Sequence, residues 1–170
     1  MSDLFIANIF RFIGIFLVQV LILINVDINT NYVNLYIYPL FILLLPIKMP
    51  RVWVLLIAFF FGLGVDTFYT TPGVHAAASV FIAYIRTGLF SIMEPRGGYD
   101  TKLSPNKHNF GMTWFLQYTG ILMFMHLFLI FMLDAFDFGY FGSILLKTIL
   151  SYMLSMLLLI IFTYVFNPKL

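Results

Sequence analysis

The chain has 170 residues, 62% of them hydrophobic and 9% charged, with 21 phenylalanines and a formal net charge of +2. A soluble domain carries about 25% charged residues, so this composition excludes a soluble fold and nucleic-acid binding, and implies an integral membrane protein. Cysteine is absent, which removes disulfides and thiolate metal sites.

A transmembrane helix needs about 20 predominantly apolar residues, and this template divides the chain into six spans of one transmembrane domain covering residues 1–170. The first runs over 9–26. It is read as a retained span, because polar Asn25-Val26-Asp27-Ile28-Asn29 follows it where a signal peptide would carry a small-residue cleavage site. The second, 33–47, is short and contains Pro39, which removes a backbone donor. A basic turn, Lys48-Met49-Pro50-Arg51, leads into the third span, 52–69, and Thr70-Thr71-Pro72-Gly73 joins it to the fourth, 74–93. The longest polar segment, Glu94–Met112, holds Arg96, Lys102, Lys107 and a Gly97-Gly98 pair. The fifth and sixth spans, 113–133 and 143–166, flank the acidic connection Asp134–Gly142.

Orientation follows from which connections carry Lys and Arg. With the N-terminus cytoplasmic, one side collects Arg11, Lys48, Arg51, Arg96, Lys102, Lys107 and Lys169, while the other holds Asp27, Asp134 and Asp137. The expected fold is therefore an all-α six-transmembrane-helix bundle with both termini cytoplasmic.

Ionisable groups inside a span are costly and need a physical reason to be there. Asp66 extends a stripe of small residues, Ala58 and Gly62, at four-residue spacing, and such stripes let helices approach closely. The carboxylate reads first as a structural group that caps a neighbouring helix or pairs with a cation, and otherwise as a proton-relay or ligand group. Pro72 and Gly73 form the turn that opens the fourth helix, with His75 near the interface and slim Ala76, Ala77 and Ala78 behind it. Arg86 is expected either to act inside the bundle or to snorkel toward lipid phosphates. Ser143, Lys147, Ser151 and Ser155 recur every four residues, so this stripe should face protein or water. The expectation is that Asp66, His75 and Lys147 meet near the outer surface, with Lys147 paired to Asp66, Asp134 or Asp137. Thr113, Gln117 and Gly120 mark a packing face on the fifth span.

No nucleophile stands at useful spacing from a base, and no phosphate-binding glycine loop or cluster of metal ligands appears. His126 is alone on its helix, and Gly97-Gly98 lacks any strand–helix context. The residues thus point away from an enzyme, and no cofactor or metal is expected. Two readings lead, a helix-packing scaffold, or a small-molecule-binding subunit or small transporter with an outward-facing pocket, with an integral-membrane enzyme ranked behind both.

Gly62-Leu63-Gly64-Val65-Asp66 followed by Pro72-Gly73-Val74-His75-Ala76-Ala77-Ala78 resembles the signature of the rod shape-determining membrane protein family MreD. Tyr38-Pro39-Leu40-Phe41-Ile42-Leu43-Leu44-Leu45-Pro46, Ala83-Tyr84-Ile85-Arg86 and Pro95-Arg96-Gly97-Gly98-Tyr99 extend the likeness. Trp114-Phe115, Tyr118 and His126 are similar to the version found in the Bacteroidetes group. The resemblance covers the chain from about Asn34 onward. It implies a non-enzymatic inner-membrane subunit of the cell-elongation (rod) complex that supports peptidoglycan synthesis and cell shape. The implied partners are an MreC-like single-span protein, RodA, penicillin-binding protein 2 and MreB in the wider complex, and membrane lipids. It also implies a bundle similar to the six-helix substrate-binding subunits of energy-coupling-factor transporters. Asp66, Pro72, Gly73 and His75 match signature positions, with packing or partner contact as the implied role.

Overall fold

The computed structural model describes residues 2–26, 32–95, 98–99 and 104–165. Asp27, Arg96, Gly97, Lys102, Lys169 and the last residue of the sixth predicted span lie outside them. The described residues are helical, with no strand among them, and four helices are long and apolar enough to cross a membrane: α3 (Arg51–Tyr69), α4 (Val74–Ile92), α6 (Met112–Ala135) and α7 (Phe141–Val165). Helix α1 (Ser2–Leu17) continues without interruption through a π turn, Val18–Ile22, and a 3₁₀ turn, Leu23–Asn25. Two short helices, α2 (Pro39–Leu43) and α5 (Lys107–Phe110), and a 3₁₀ turn, Phe138–Tyr140, complete the set, and α5 is capped by the Asn106 side chain, which accepts from the His108 and Asn109 N–H groups. Large apolar side chains such as Phe10, Phe60, Ile92 and Leu157 point outward. That is the arrangement of a protein whose solvent is lipid.

The predicted second span is the main departure. Only Pro39–Leu43 of 33–47 is helical, and Val33–Ile37 has no regular secondary structure. Yet this segment is the most deeply buried in the molecule, with Tyr38, Leu40, Ile42 and Leu43 all at 0% exposure. Its backbone groups therefore need partners that a helix would have supplied internally. Side chains from other elements provide them. The Asn34 and Tyr36 N–H groups donate to Ser151 Oγ and Ser155 Oγ on α7, each at 3.0 Å. The intervening Leu35 carbonyl accepts from Gln19 Nε2 at 3.0 Å, and the Ile37 and Tyr38 N–H groups donate to Gln19 Oε1 at 2.8 and 3.3 Å. This alternation of partners is the period-two habit of extended chain. Pro39, whose missing N–H costs nothing at a first helical position, then starts the short helix.

The segment runs alongside α4. Its beginning lies by the end of α3, where the Tyr36 ring sits 5.8 Å from Tyr69 and 5.6 Å from His75. Its end lies by Arg86, which is about 16 Å further along α4 at 1.5 Å per residue. Helices α3 and α4 form a close hairpin across it. A Cβ on Gly62 would meet the Ala76 Cα at 2.6 Å and the His75 carbonyl at 2.7 Å, so the expected close approach at Gly62 is real and only glycine fits.

Candidate functional site

The corner between α3 and α4 is built by the chain's own turn chemistry. Thr70 closes α3 in the left-handed region (φ 53°), and the Thr70 and Thr71 N–H groups both donate to the Asp66 carbonyl. Gly73, at φ 86°, turns the chain into α4, a conformation that side-chain-bearing residues rarely adopt. The first N–H groups of a helix have no partner within it. Here Asp66 reaches across from α3 to supply them: Oδ1 accepts from the His75 N–H and Oδ2 from the Ala76 N–H, both at 2.9 Å. Oδ1 also accepts from Thr71 Oγ1 at 2.5 Å and lies 3.1 Å from His75 Nδ1. Asp66 is 2% exposed and is fully engaged as a cap on the neighbouring helix.

His75 is likewise 2% exposed and lies in the protein interior. Its Nδ1 faces Asp66 and Thr71 Oγ1, which places the proton on that nitrogen and the lone pair on Nε2. Nε2 is buried without a hydrogen-bond partner, among the rings of Tyr36, Tyr38 and Tyr69. A carboxylate orienting an imidazole is the geometry of a general base, but no hydroxyl bonds to Nε2 for it to activate. Deeper in the core His126 Nε2 lies 2.6 Å from the Tyr38 hydroxyl. Tyr38 thus lies between the two imidazoles.

Arg86 does not snorkel to lipid. It is 2% exposed, and its guanidinium donates to the carbonyls of Ile42 at 2.6 Å, Leu45 at 2.5 Å and Pro46 at 3.4 Å. These include carbonyls at the C-terminal end of α2, which attracts positive charge. The Tyr118 hydroxyl takes the Leu43 carbonyl between them at 3.1 Å.

Lys147 does not join the corner. Its predicted pairing with Asp66, Asp134 or Asp137 is not made among the described residues, where Asp66 pairs with His75 instead. Four residues of an α-helix turn it by 400°, so a strict four-residue stripe winds around the helix. Ser151 and Ser155 face the interior, whereas Lys147 stands half-buried on the flank. On α6 the same reading holds for Gly120, which packs close to the Tyr152 hydroxyl, but Thr113 and Gln117 are exposed.

No family model, curated protein or solved structure matches the chain.

Beside the corner lies a laterally open groove of about 1300 Å³ between α3, α4 and α6. Phe59, Leu63, Val80, Phe81, Leu129 and Leu133 make its walls, and Asp66, Thr67, Thr70, Thr71, Pro72 and Gly73 its polar end. Of the three residues expected to line an outward-facing pocket, Asp66 borders this groove while His75 and Lys147 do not. The residues that sequence reasoning missed are Gln19, Tyr38 and Thr71. Gln19 carried a signal, being the lone polar side chain between Arg11 and Asn25 apart from glycine. Among the described residues no group of three metal-ligating side chains occurs.

Proposed function

We propose that this chain is a non-enzymatic, six-crossing scaffold of the MreD type, which supports peptidoglycan synthesis and cell shape by packing against partner membrane proteins in the bacterial inner membrane. The observation that carries the reading is how the buried polar groups are used. Asp66, Gln19, Arg86, Ser151 and Ser155 are all engaged by the protein's own backbone, and the groove between α3, α4 and α6 is left apolar along its walls. Such a bundle is equipped to dock helices and offers no reacting group to a substrate.

Six crossings are consistent with the chain lengths. From Ser2 to Asn25 the first helix and its turns reach about 36 Å. The second crossing is the irregular segment, about 20 Å of extended chain followed by the short helix. Both termini then lie on the cytoplasmic side with Lys48, Arg51 and Lys107. In this reading the groove between α3, α4 and α6 receives the membrane helix of an MreC-like single-span protein, with RodA, penicillin-binding protein 2 and MreB in the wider complex.

Affinity purification of the tagged chain from its native membrane tests this. A single-span protein with a periplasmic coiled coil should co-purify, depletion of the chain should round the cells, and Ala77→Trp, which fills the exposed groove floor, should release the partner. A chain that purifies alone from cells of unchanged shape, and instead binds a small solute saturably, would establish the second reading. That reading, a small-molecule-binding subunit, draws on the groove's size and the threonine hydroxyls at its outer end.

A further inference from the structure

We propose that the groove between the first turn of α3 and the last two turns of α4 binds the phosphate headgroup of an anionic phospholipid. Arg51, the first residue of α3, lays its guanidinium 3.9 Å over the Tyr84 ring. Stacking leaves the planar edge and its N–H fork open, and no carboxylate pairs with it. The groove beneath holds about 570 Å³, and no acidic residue lines it.

Two hydroxyls complete the polar part. Thr87 and Ser91 are one helical turn apart on the same exposed face of α4 and both line the groove. A hydroxyl on a membrane helix ordinarily bonds back to a carbonyl of its own helix. Thr67, Thr119, Thr148 and Thr163 do so, at 2.7 to 2.8 Å. Thr87 and Ser91 make no hydrogen bond among the described residues, and their donors stay free for an external acceptor. Between them Gly88 leaves open space, since a Cβ there would meet nothing within 4 Å. A tetrahedral phosphodiester matches a guanidinium fork flanked by hydroxyl donors. The positive end of α3 adds to the attraction. The apolar walls, from Ile92 on α4 to Ile121 and Met125 on α6, extend along the bundle and suit an acyl chain, which free phosphate lacks. The assignment of this end to the cytoplasmic leaflet rests on the orientation proposed above; the site itself does not.

The test is native mass spectrometry of the full-length chain titrated with phosphatidylglycerol, with phosphatidylcholine of the same acyl chains, and with inorganic phosphate. The wild type should retain phosphatidylglycerol in preference to phosphatidylcholine, with phosphate failing to displace it. Arg51→Gln should weaken phosphatidylglycerol binding about five-fold, the effect of one basic side chain at a membrane surface. Arg51→Lys, which keeps the charge but loses the stacked planar fork, should fall between the wild type and Arg51→Gln. Gly88→Leu, whose Cβ enters the groove with nothing within 4 Å, should abolish retention of the lipid and serves if Arg51→Gln misfolds. Equal retention of the two lipids by the wild type would overturn the proposal, as would an unchanged preference in Arg51→Gln or Gly88→Leu. Displacement by inorganic phosphate would also overturn it, leaving a bare anion site. So would an Arg51-dependent acidic protein co-purifying in place of the lipid. A wrong orientation would appear only as labelling from the opposite face, with the lipid preference intact.

Discussion

Asp66 accepts four donors with two oxygens, and that count fixes what each substitution at the corner removes. In Asp66→Asn an NH₂ group replaces one oxygen and must point either at the Ala76 N–H or at the Thr71 and His75 donors. A donor then faces a donor in a buried site. Losing a hydrogen bond to a charged group costs about 1.5–3 kcal/mol, so Asp66→Asn should destabilise by that order. Thr71→Val removes one donor and leaves the two backbone bonds in place, for a loss of about 1 kcal/mol. Unfolding in mixed micelles would rank them, and a Thr71→Val loss larger than that of Asp66→Asn would reject the capping role. The corner was partly legible in the sequence: an acid in a small-residue stripe, followed by a proline–glycine turn, pointed to a cap at a close helix approach. Lys147 was misplaced for a geometric reason, because spacing along one helix reports a face but not what stands opposite it.

At the scale of elements, the segment 33–46 depends on side chains far away in the sequence. Gln19 alone satisfies three of its backbone groups and also donates to the Tyr69 hydroxyl at 2.6 Å. Gln19→Leu keeps the volume and strands the Leu35 carbonyl and the Ile37 and Tyr38 N–H groups in the core. At about 1–3 kcal/mol for each unsatisfied buried group, the variant should lose at least about 3 kcal/mol. Ser151→Ala, which strands only the Asn34 N–H, should lose about 1 kcal/mol. Hydrogen exchange gives the local readout: Ile37 and Tyr38 amides should lose protection in Gln19→Leu and keep it in Ser151→Ala. Equal protection in both variants would mean that the segment holds itself. This dependence also explains why the four long helices were readable and the second span was not. A helix declares itself through its own run of apolar residues, whereas a buried irregular segment is specified by Gln19, Arg86, Tyr118, Ser151 and Ser155 on four other helices. The serines did announce a protein-facing stripe, but nothing in their spacing named the backbone they serve.

For the whole molecule, the irregular segment determines the topology. If it crosses, Arg11 near the start of the first span shares a face with Lys48, Arg51 and Lys107, as the basic residues require, with Asp134 and Asp137 on the other. If it turned back instead, the chain would cross an odd number of times and the basic groups on the two sides of it would be separated by the membrane. The local contacts favour crossing. Tyr36 lies at the His75 end of α4 and Leu45 at the Arg86 end, so the segment's two ends are separated along the bundle axis. At the Arg86 end Trp114 Nε1 donates to the Met93 carbonyl and Lys107 Nζ to the Thr163 carbonyl, both at 2.9 Å, which gathers the ends of α4, α6 and α7. The sequence has no cysteine, so single-cysteine variants report without background. Ser2→Cys, Lys48→Cys and His108→Cys should react with a membrane-impermeant maleimide only after the cytoplasmic face is opened, and Tyr140→Cys should react in intact cells. Ser2→Cys and Lys48→Cys labelled from opposite sides would reject the six-crossing arrangement. The Ser2→Cys and Lys48→Cys pair is decisive, because only the first helix and the irregular segment lie between them, whereas Lys48 and His108 flank the α3–α4 hairpin and share a side whether or not the segment crosses.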